Sequence, residues 1–203
     1  MNPIILDTSP LVLTQQTKGK VVCGLSWDPK EDPTVSSKIT NALSGVNKET
    51  YDLDLSCYCY DEHKSLMDFI TGNEGEHIDR SGFIKHSGDC RHGEQEGDDE
   101  AVTIDLAALP DYIQHLVFIA EVGSAHSFSN VLTPYIRIAD EISNQELDSL
   151  SISTDENMPY SACVYATLSR RKDGSWLFHR NRYYLDHEDI ESWPDFLSQF
   201  ISA

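Results

Sequence analysis

No stretch of the chain approaches the roughly 18 consecutive apolar residues that a membrane-crossing helix needs, so no helical span is expected. Basic residues are also few. Fifteen Lys and Arg face 34 Asp and Glu, a formal net charge of −19. Such a surface repels nucleic-acid phosphates and anionic lipid, which argues against a nucleic-acid partner. Residues 1–7 lack a basic region ahead of a long apolar run, so no signal peptide is expected. Cysteine is limited to five residues, an odd number with no C-x-x-C pair. A closed disulfide framework is therefore not expected, and reduced thiols in a cytoplasm fit best. The catalytic signatures H-E-x-x-H, the nucleophile elbow and the P-loop do not occur.

What is present suits one sizeable β-rich domain. Nine Tyr, seven Phe and three Trp supply enough large apolar side chains to argue against disorder. Short runs rich in β-branched and aromatic residues recur at 21–25, 101–106, 116–120, 135–139, 162–168 and 176–180. Each has strand length. Lys172-Asp173-Gly174-Ser175 places a turn signal between the last two, predicting a hairpin. The pattern predicts an antiparallel β-sandwich of two sheets rather than βαβ units. Residues 28–50, 71–82 and 141–161 read as loops, and residues 107–115 as a short helix with Leu109, Ile113 and Leu116 on one side. Near the C-terminus, Ser192-Trp193-Pro194-Asp195 reads as an N-cap, a first-turn proline and an acid at the third position. An amphipathic helix with Trp193, Leu197, Phe200 and Ile201 on one face would follow. The expected organisation is a sandwich domain over residues 1–186, with residues 187–203 a helical extension packed on it.

The acids are not spread evenly. Seven fall between Asp89 and Asp105: Asp89, Glu94, Glu96, Asp98, Asp99, Glu100 and Asp105. Gly88, Gly93 and Gly97 punctuate them. Glycine lets a chain turn its carbonyls and side chains inward, because a positive φ costs it little. Calcium takes six to eight oxygens at roughly 2.3–2.6 Å, some of them backbone carbonyls. An acid-glycine loop of this kind suits such a cation, although a solvated acidic hairpin has the same composition. Upstream, Asp52-Leu53-Asp54-Leu55-Ser56-Cys57-Tyr58-Cys59-Tyr60 alternates. As a strand it places Asp52, Asp54 and Ser56 on one face and Leu53, Leu55, Cys57 and Cys59 toward the core. Asp52 and Asp54 could help the loop hold one ion. The loop is not an EF-hand. Asp89 and Glu100 occupy the first and twelfth positions, but Arg91, Gly93 and Glu94 stand at the third, fifth and sixth.

Three segments together, Gly24-Leu25-Ser26-Trp27-Asp28, Asp52-Leu53-Asp54-Leu55-Ser56, and His86-Ser87-Gly88-Asp89 through Gly97-Asp98-Asp99-Glu100, resemble the TerD family of tellurium-resistance and stress proteins, its TerZ branch in particular. The likeness spans roughly residues 10–185. It implies a cytoplasmic β-sandwich that binds calcium at acidic loops, acting with other Ter-type proteins near the inner membrane without being an integral membrane protein. Carried over by position, the implied ligands are Asp52, Asp54, Asp89, Glu94, Glu96, Asp98, Asp99 and Glu100, with Asp28 added from the first segment. Cys90 stands where the family has Asn, and a soft thiol suits a hard cation poorly. Gln95 replaces a glycine.

The expectation is therefore a calcium-binding stress-response protein without catalysis of its own. One alternative is a metal-dependent hydrolase or phosphate-handling enzyme, with His86 and His92 as acid and base. Another is a calcium-dependent interaction scaffold. A zinc site from Cys57, Cys59, Cys90, His86 and His92 is the weakest reading, since Cys57 and Cys59 are expected in the core.

Overall fold

The computed structural model describes residues 10–13, 19–28, 52–91, 93, 95–123, 126–152 and 159–202. Glu94 and His92 lie outside the described residues, as do residues 29–50 of the first expected loop and residue 51 after it. Among the described residues eleven strands form the two antiparallel sheets that the alternation predicts. They are β1 (Leu11–Val12), β2 (Lys20–Asp28), β3 (Leu53–Tyr60), β4 (Leu66–Ile70), β5 (Ile84–His86), β6 (Glu100–Asp105), β7 (His115–Val122), β8 (Leu132–Asp140), β9 (Glu146–Ser151), β10 (Ala162–Arg170) and β11 (Trp176–Leu185). The larger sheet runs β1-β11-β10-β7-β3-β4 and the smaller β5-β6-β2-β8-β9.

Each strand's alternation sets which face it buries. Leu53, Leu55, Cys57 and Cys59 of β3 join Leu116, Phe118, Ala120 and Val122 of β7 in the core between the sheets. Val21, Cys23, Leu25 and Trp27 of β2 meet them from the smaller sheet. The continuous apolar run of β7 has a further cause. Its other face, Val117 and Ile119, is buried as well, together with Tyr60, Ala162 and Val164. The C-terminal segment covers that face. Helix α1 (Trp193–Leu197) begins at Ser192, whose side chain accepts from the Asp195 N–H, with Pro194 in the first turn. Leu197 and Ile201 are buried against the sheet, and Trp193, Phe196 and Phe200 pack beside them. The Tyr60 hydroxyl donates to the Pro194 carbonyl at 2.9 Å, and Lys64 Nζ to the Ile201 carbonyl at 2.8 Å.

Two expectations fail. Residues 107–115 form turns, not a helix. Ala108 and Leu109 both donate to the Asp105 carbonyl, and Pro110 has no N–H to continue a helical ladder. Leu109 and Ile113 are nevertheless buried. Residues 141–161 are not all loop, because they contain β9. Leu147 and Leu150 are an odd number of positions apart, which hides a strand from alternation. A bulge solves the parity: Ile138 faces Asp148 and Ala139 faces Glu146, so Leu147 is the extra residue. Both leucines then pack on the core. Asp148 of β9 reaches across to the larger sheet, accepting from Tyr165 Oη at 3.0 Å and from Arg182 at 3.3 Å.

Candidate metal centre

The acidic residues meet where the start of β3 faces the start of β6. The cause is an incomplete sheet edge. β4 pairs with β3 only from Cys57 onward, whereas β7 pairs along its full length. Among the described residues no strand therefore pairs with the Leu55 N–H and C=O on the β4 side, and buried backbone polar groups need partners. Two side chains from the other sheet supply them. Glu100 Oε2 accepts from the Leu55 N–H at 2.8 Å, and His86 Nε2 lies 3.0 Å from the Leu55 carbonyl. Glu100 Oε1 accepts from the Cys90 N–H at 3.1 Å, which ties the acidic loop to the same point.

His86 is fully used by this arrangement. Its Nδ1 accepts from the Gly88 N–H at 3.0 Å. That bond assigns the ring proton to Nε2, which faces the Leu55 carbonyl and lies 3.4 Å from Glu100 Oε2. Neither ring nitrogen has a lone pair left for a metal or for a substrate proton. Cys57 and Cys59 lie in the core with no exposure, and the Cys90 thiol turns to Asp99, 3.9 Å from its Oδ1.

Oxygen donors converge instead. Asp54, Asp89 and Glu100 each place a carboxylate oxygen within 4.8 Å of the others. Asp89 is positioned by close backbone packing: a Cβ on Gly72 would sit 3.0 Å from its Cα and N. Arg91, an exposed side chain, pairs with Asp89 at 2.9 Å. Asp52 lies one residue ahead of β3 and accepts from the Gly123 N–H at 2.7 Å through its carbonyl. The cluster carries unbalanced negative charge. Burial first, then the charges of Asp52, Glu100 and Asp89, push the Asp54 carboxyl up from 3.8 to about 7, with His86 opposing. Burial and the nearby Asp54 likewise push Glu121 up from 4.5 to about 7, against a hydrogen bond from Trp193. Glu121 is the direct neighbour of Asp54 across β3 and β7.

The other acids singled out in the sequence go elsewhere. Asp98 is held bidentately by Arg137, with Nε and Nη2 each 2.8 Å from a carboxylate oxygen. Arg137 lies opposite Gly24 in β2, and the Asp98 carboxylate rests on that glycine. A Cβ there would be 2.2 Å from Asp98 Cγ, so Gly24 is needed for the space. Asp99 spends both oxygens on backbone N–H groups, those of Trp27 and Gln95, each at 3.0 Å. It pins the loop to β2. Asp28 accepts from the Thr133 hydroxyl at the end of β2. Glu96 is exposed. Of the nine acids picked out, eight are described, and of these Asp54, Asp89 and Glu100 come together with Asp52 adjacent. Sequence reasoning missed Glu121, Arg137, Gly24 and Gly72, whose parts are visible only once the strands are paired.

The sequence pattern defining the TerD domain matches residues 7–181. The chain is 31% identical to the uncharacterized protein YceE of Bacillus subtilis strain 168 over 176 residues, covering 82% of this chain and 83% of that one. It is 30% identical to tellurium resistance protein TerZ of Serratia marcescens over 155 residues, covering 76% and 75%. It is 31% identical to general stress protein 16U of B. subtilis over 175 residues, covering 83% and 82%. A solved Streptomyces coelicolor homologue of telluride resistance protein (TerD) has the same fold. It superposes with a TM-score of 0.65 at 18% identity, covering 89% of this chain and 95% of that one.

Proposed function

The chain belongs to the TerD domain family, and from that premise we propose that it is a tellurium-resistance or stress-response protein that binds a calcium ion at Asp54, Asp89 and Glu100 and catalyses no reaction itself. The observation that carries the reading is the convergence of three carboxylates, from two sheets and one loop, within 4.8 Å. Their donor chemistry fits. The set is all oxygen and strongly anionic, which suits a hard cation. The raised Asp54 carboxyl marks charge that a cation would neutralise. Zinc fits poorly, because the His86 lone pairs and the Cys57 and Cys59 thiols are directed elsewhere. The same engagement of His86 speaks against a general-base role for it.

When bound, the ion would supply electrostatic cross-linking. Asp54 belongs to the larger sheet, Glu100 to the smaller and Asp89 to the loop, so one cation would clamp all three. Glu100 and Asp99 hold the loop through backbone N–H groups, which limits the ordering that binding must impose. Names of relatives place the family in tellurium resistance and general stress, and the same role is proposed for this chain, in a cytoplasm alongside other Ter-type proteins. Among the described residues no helix is long and apolar enough to cross a membrane.

Isothermal titration of chelator-stripped protein with calcium tests the reading, with magnesium as comparison. The expected result is saturable heat with calcium, lost in Asp54→Asn and accompanied by a rise in Tm, because a ligand selective for the native state stabilises it. Absence of both heat and Tm shift at millimolar calcium would overturn it.

A further inference from the structure

A groove of about 480 Å³ opens on the outer face of the larger sheet, a volume within the range that small ligands occupy. Ser56 and Tyr58 of β3, Phe69 of β4, Glu121 of β7 and Glu76 line it, and Asp54 borders both the groove and the carboxylate cluster. Alternation along β3 turns Asp54, Ser56 and Tyr58 away from the core. Ser56 is only 5% exposed, yet its hydroxyl has no hydrogen-bond partner among the described residues, and it lines the groove. Buried polar groups are rarely left without a partner, so this hydroxyl points to a ligand. Glu76 is held in place. Thr71 Oγ1 and Asn73 Nδ2 donate to its Oε2 at 3.2 and 3.4 Å, and the Thr71 N–H donates to its carbonyl at 3.1 Å. Its Oε1 takes part in none of these bonds. The ion pairs that Lys and Arg form among the described residues reach none of Asp54, Glu76 and Glu121.

These features select an organic cation rather than a metal ion. The groove is far larger than one ion, and two of its walls are aromatic. Tyr58 and Phe69 are neighbours across β3 and β4 and stack, with ring centroids 6.0 Å apart and planes 23° from parallel. Ring faces of this kind pack methylene groups and attract ammonium groups. The groove's carboxylates stand on both sides of β3. Glu121 is on β7 and Glu76 lies in the turn after β4, and strand spacing sets those two backbones about 10 Å apart. A ligand with an ammonium at each end of a short methylene chain matches that spread. We propose that the groove binds a free aliphatic diamine or polyamine. One ammonium donates to Glu121 and to Ser56 Oγ, the other donates to Glu76 Oε1, and the chain between them lies on Tyr58 and Phe69. Hydrogen bonds between ionised partners are about twice as strong as neutral ones. The proposal goes beyond the calcium reading and does not rest on it, because Ser56, Glu76, Glu121 and the ring pair lie outside the set of Asp54, Asp89 and Glu100.

Titration calorimetry of the full, metal-stripped chain with putrescine and spermidine tests it. Salt at about 0.15 M screens diffuse attraction to the net charge of −19. The expected result is saturable heat with a stoichiometry of one. Butylamine, which has a single ammonium, should bind at least about tenfold more weakly, because losing a hydrogen bond between charged partners costs that much or more. Glu121→Gln should weaken putrescine binding about tenfold and Ser56→Ala about threefold. Phe69→Leu, at a side chain 37% exposed on the edge strand and so tolerated by the fold, should weaken it about threefold through loss of the ring face. Absence of heat at millimolar putrescine would overturn the proposal. So would binding that is unchanged in all three variants, which is the signature of diffuse attraction to an acidic surface. Equal affinity for butylamine, or for lysine blocked at its amino and carboxyl ends, would overturn the two-ended ligand. Each of these failures leaves the calcium reading standing, because calcium titration reads the separate cluster.

Discussion

Replacing Asp54 with Asn should stabilise the calcium-free protein and abolish its response to calcium. Asn keeps the shape of the side chain and removes one negative charge from the cluster. The magnitude follows from the carboxyl being pushed from 3.8 to about 7 by burial and by Asp52, Glu100 and Asp89. A folded-state pKa above the unfolded value means that the native state holds its proton more tightly. Stability from this group is therefore full below pH ~4 and is lost as pH rises toward about 7. The full shift corresponds to about 4 kcal/mol at 1.36 kcal/mol per unit, and partial exposure reduces that to about 1–3 kcal/mol. Asp54→Asn escapes the loss. At pH ~8 in chelator its Tm should exceed the wild type's by about 2–12 °C, taking about 2–4 °C per kcal/mol for a chain of this size. Near pH 4 the two should melt together. In millimolar calcium the order should reverse, because only the wild type gains binding free energy. Differential scanning calorimetry at the two pH values, with and without calcium, measures all of this. A variant that melts below the wild type in chelator at pH ~8 would refute the claim that the cluster is electrostatically frustrated.

Two further substitutions separate scaffold from ligand. Glu100→Gln should lower stability by about 1–3 kcal/mol in chelator, since an amide NH2 must then face one of the two backbone N–H groups that Glu100 now accepts from; urea denaturation reads this, and an unchanged midpoint would contradict the assigned bonds. Gly24→Ala should cost about 1–3 kcal/mol through the collision with Asp98, and at least half of that loss should vanish in an Asp98→Ala background, as a double-mutant cycle would show.

Much of the fold is legible in the chain. The alternation of residues 52–60 orients Asp54 outward and Leu53, Leu55, Cys57 and Cys59 inward, and the structure has that orientation. The capping pattern at Ser192 marks the start of α1. Parity arguments fail at a bulge, which is why β9 is invisible, and a proline defeats the apparent helical spacing of Leu109 and Ile113.

The sequence by itself determined a two-sheet β architecture and an acid-rich segment suited to a cation, because strand period and composition are local properties. It could not apportion the acids. Asp98, Asp99 and Glu100 are consecutive, and consecutive residues in extended chain point to different sides, so one segment cannot aim all three at one point. Their neighbours in space decide. Arg137 from β8 takes Asp98, the backbone of Trp27 and Gln95 takes Asp99, and the open edge at Leu55 draws in Glu100. Glu100 and Leu55 are 45 residues apart and belong to different sheets. Only packing those sheets together brings Asp54, Asp89 and Glu100 into one cluster, and only the register of β3 on β7 places Glu121 beside Asp54.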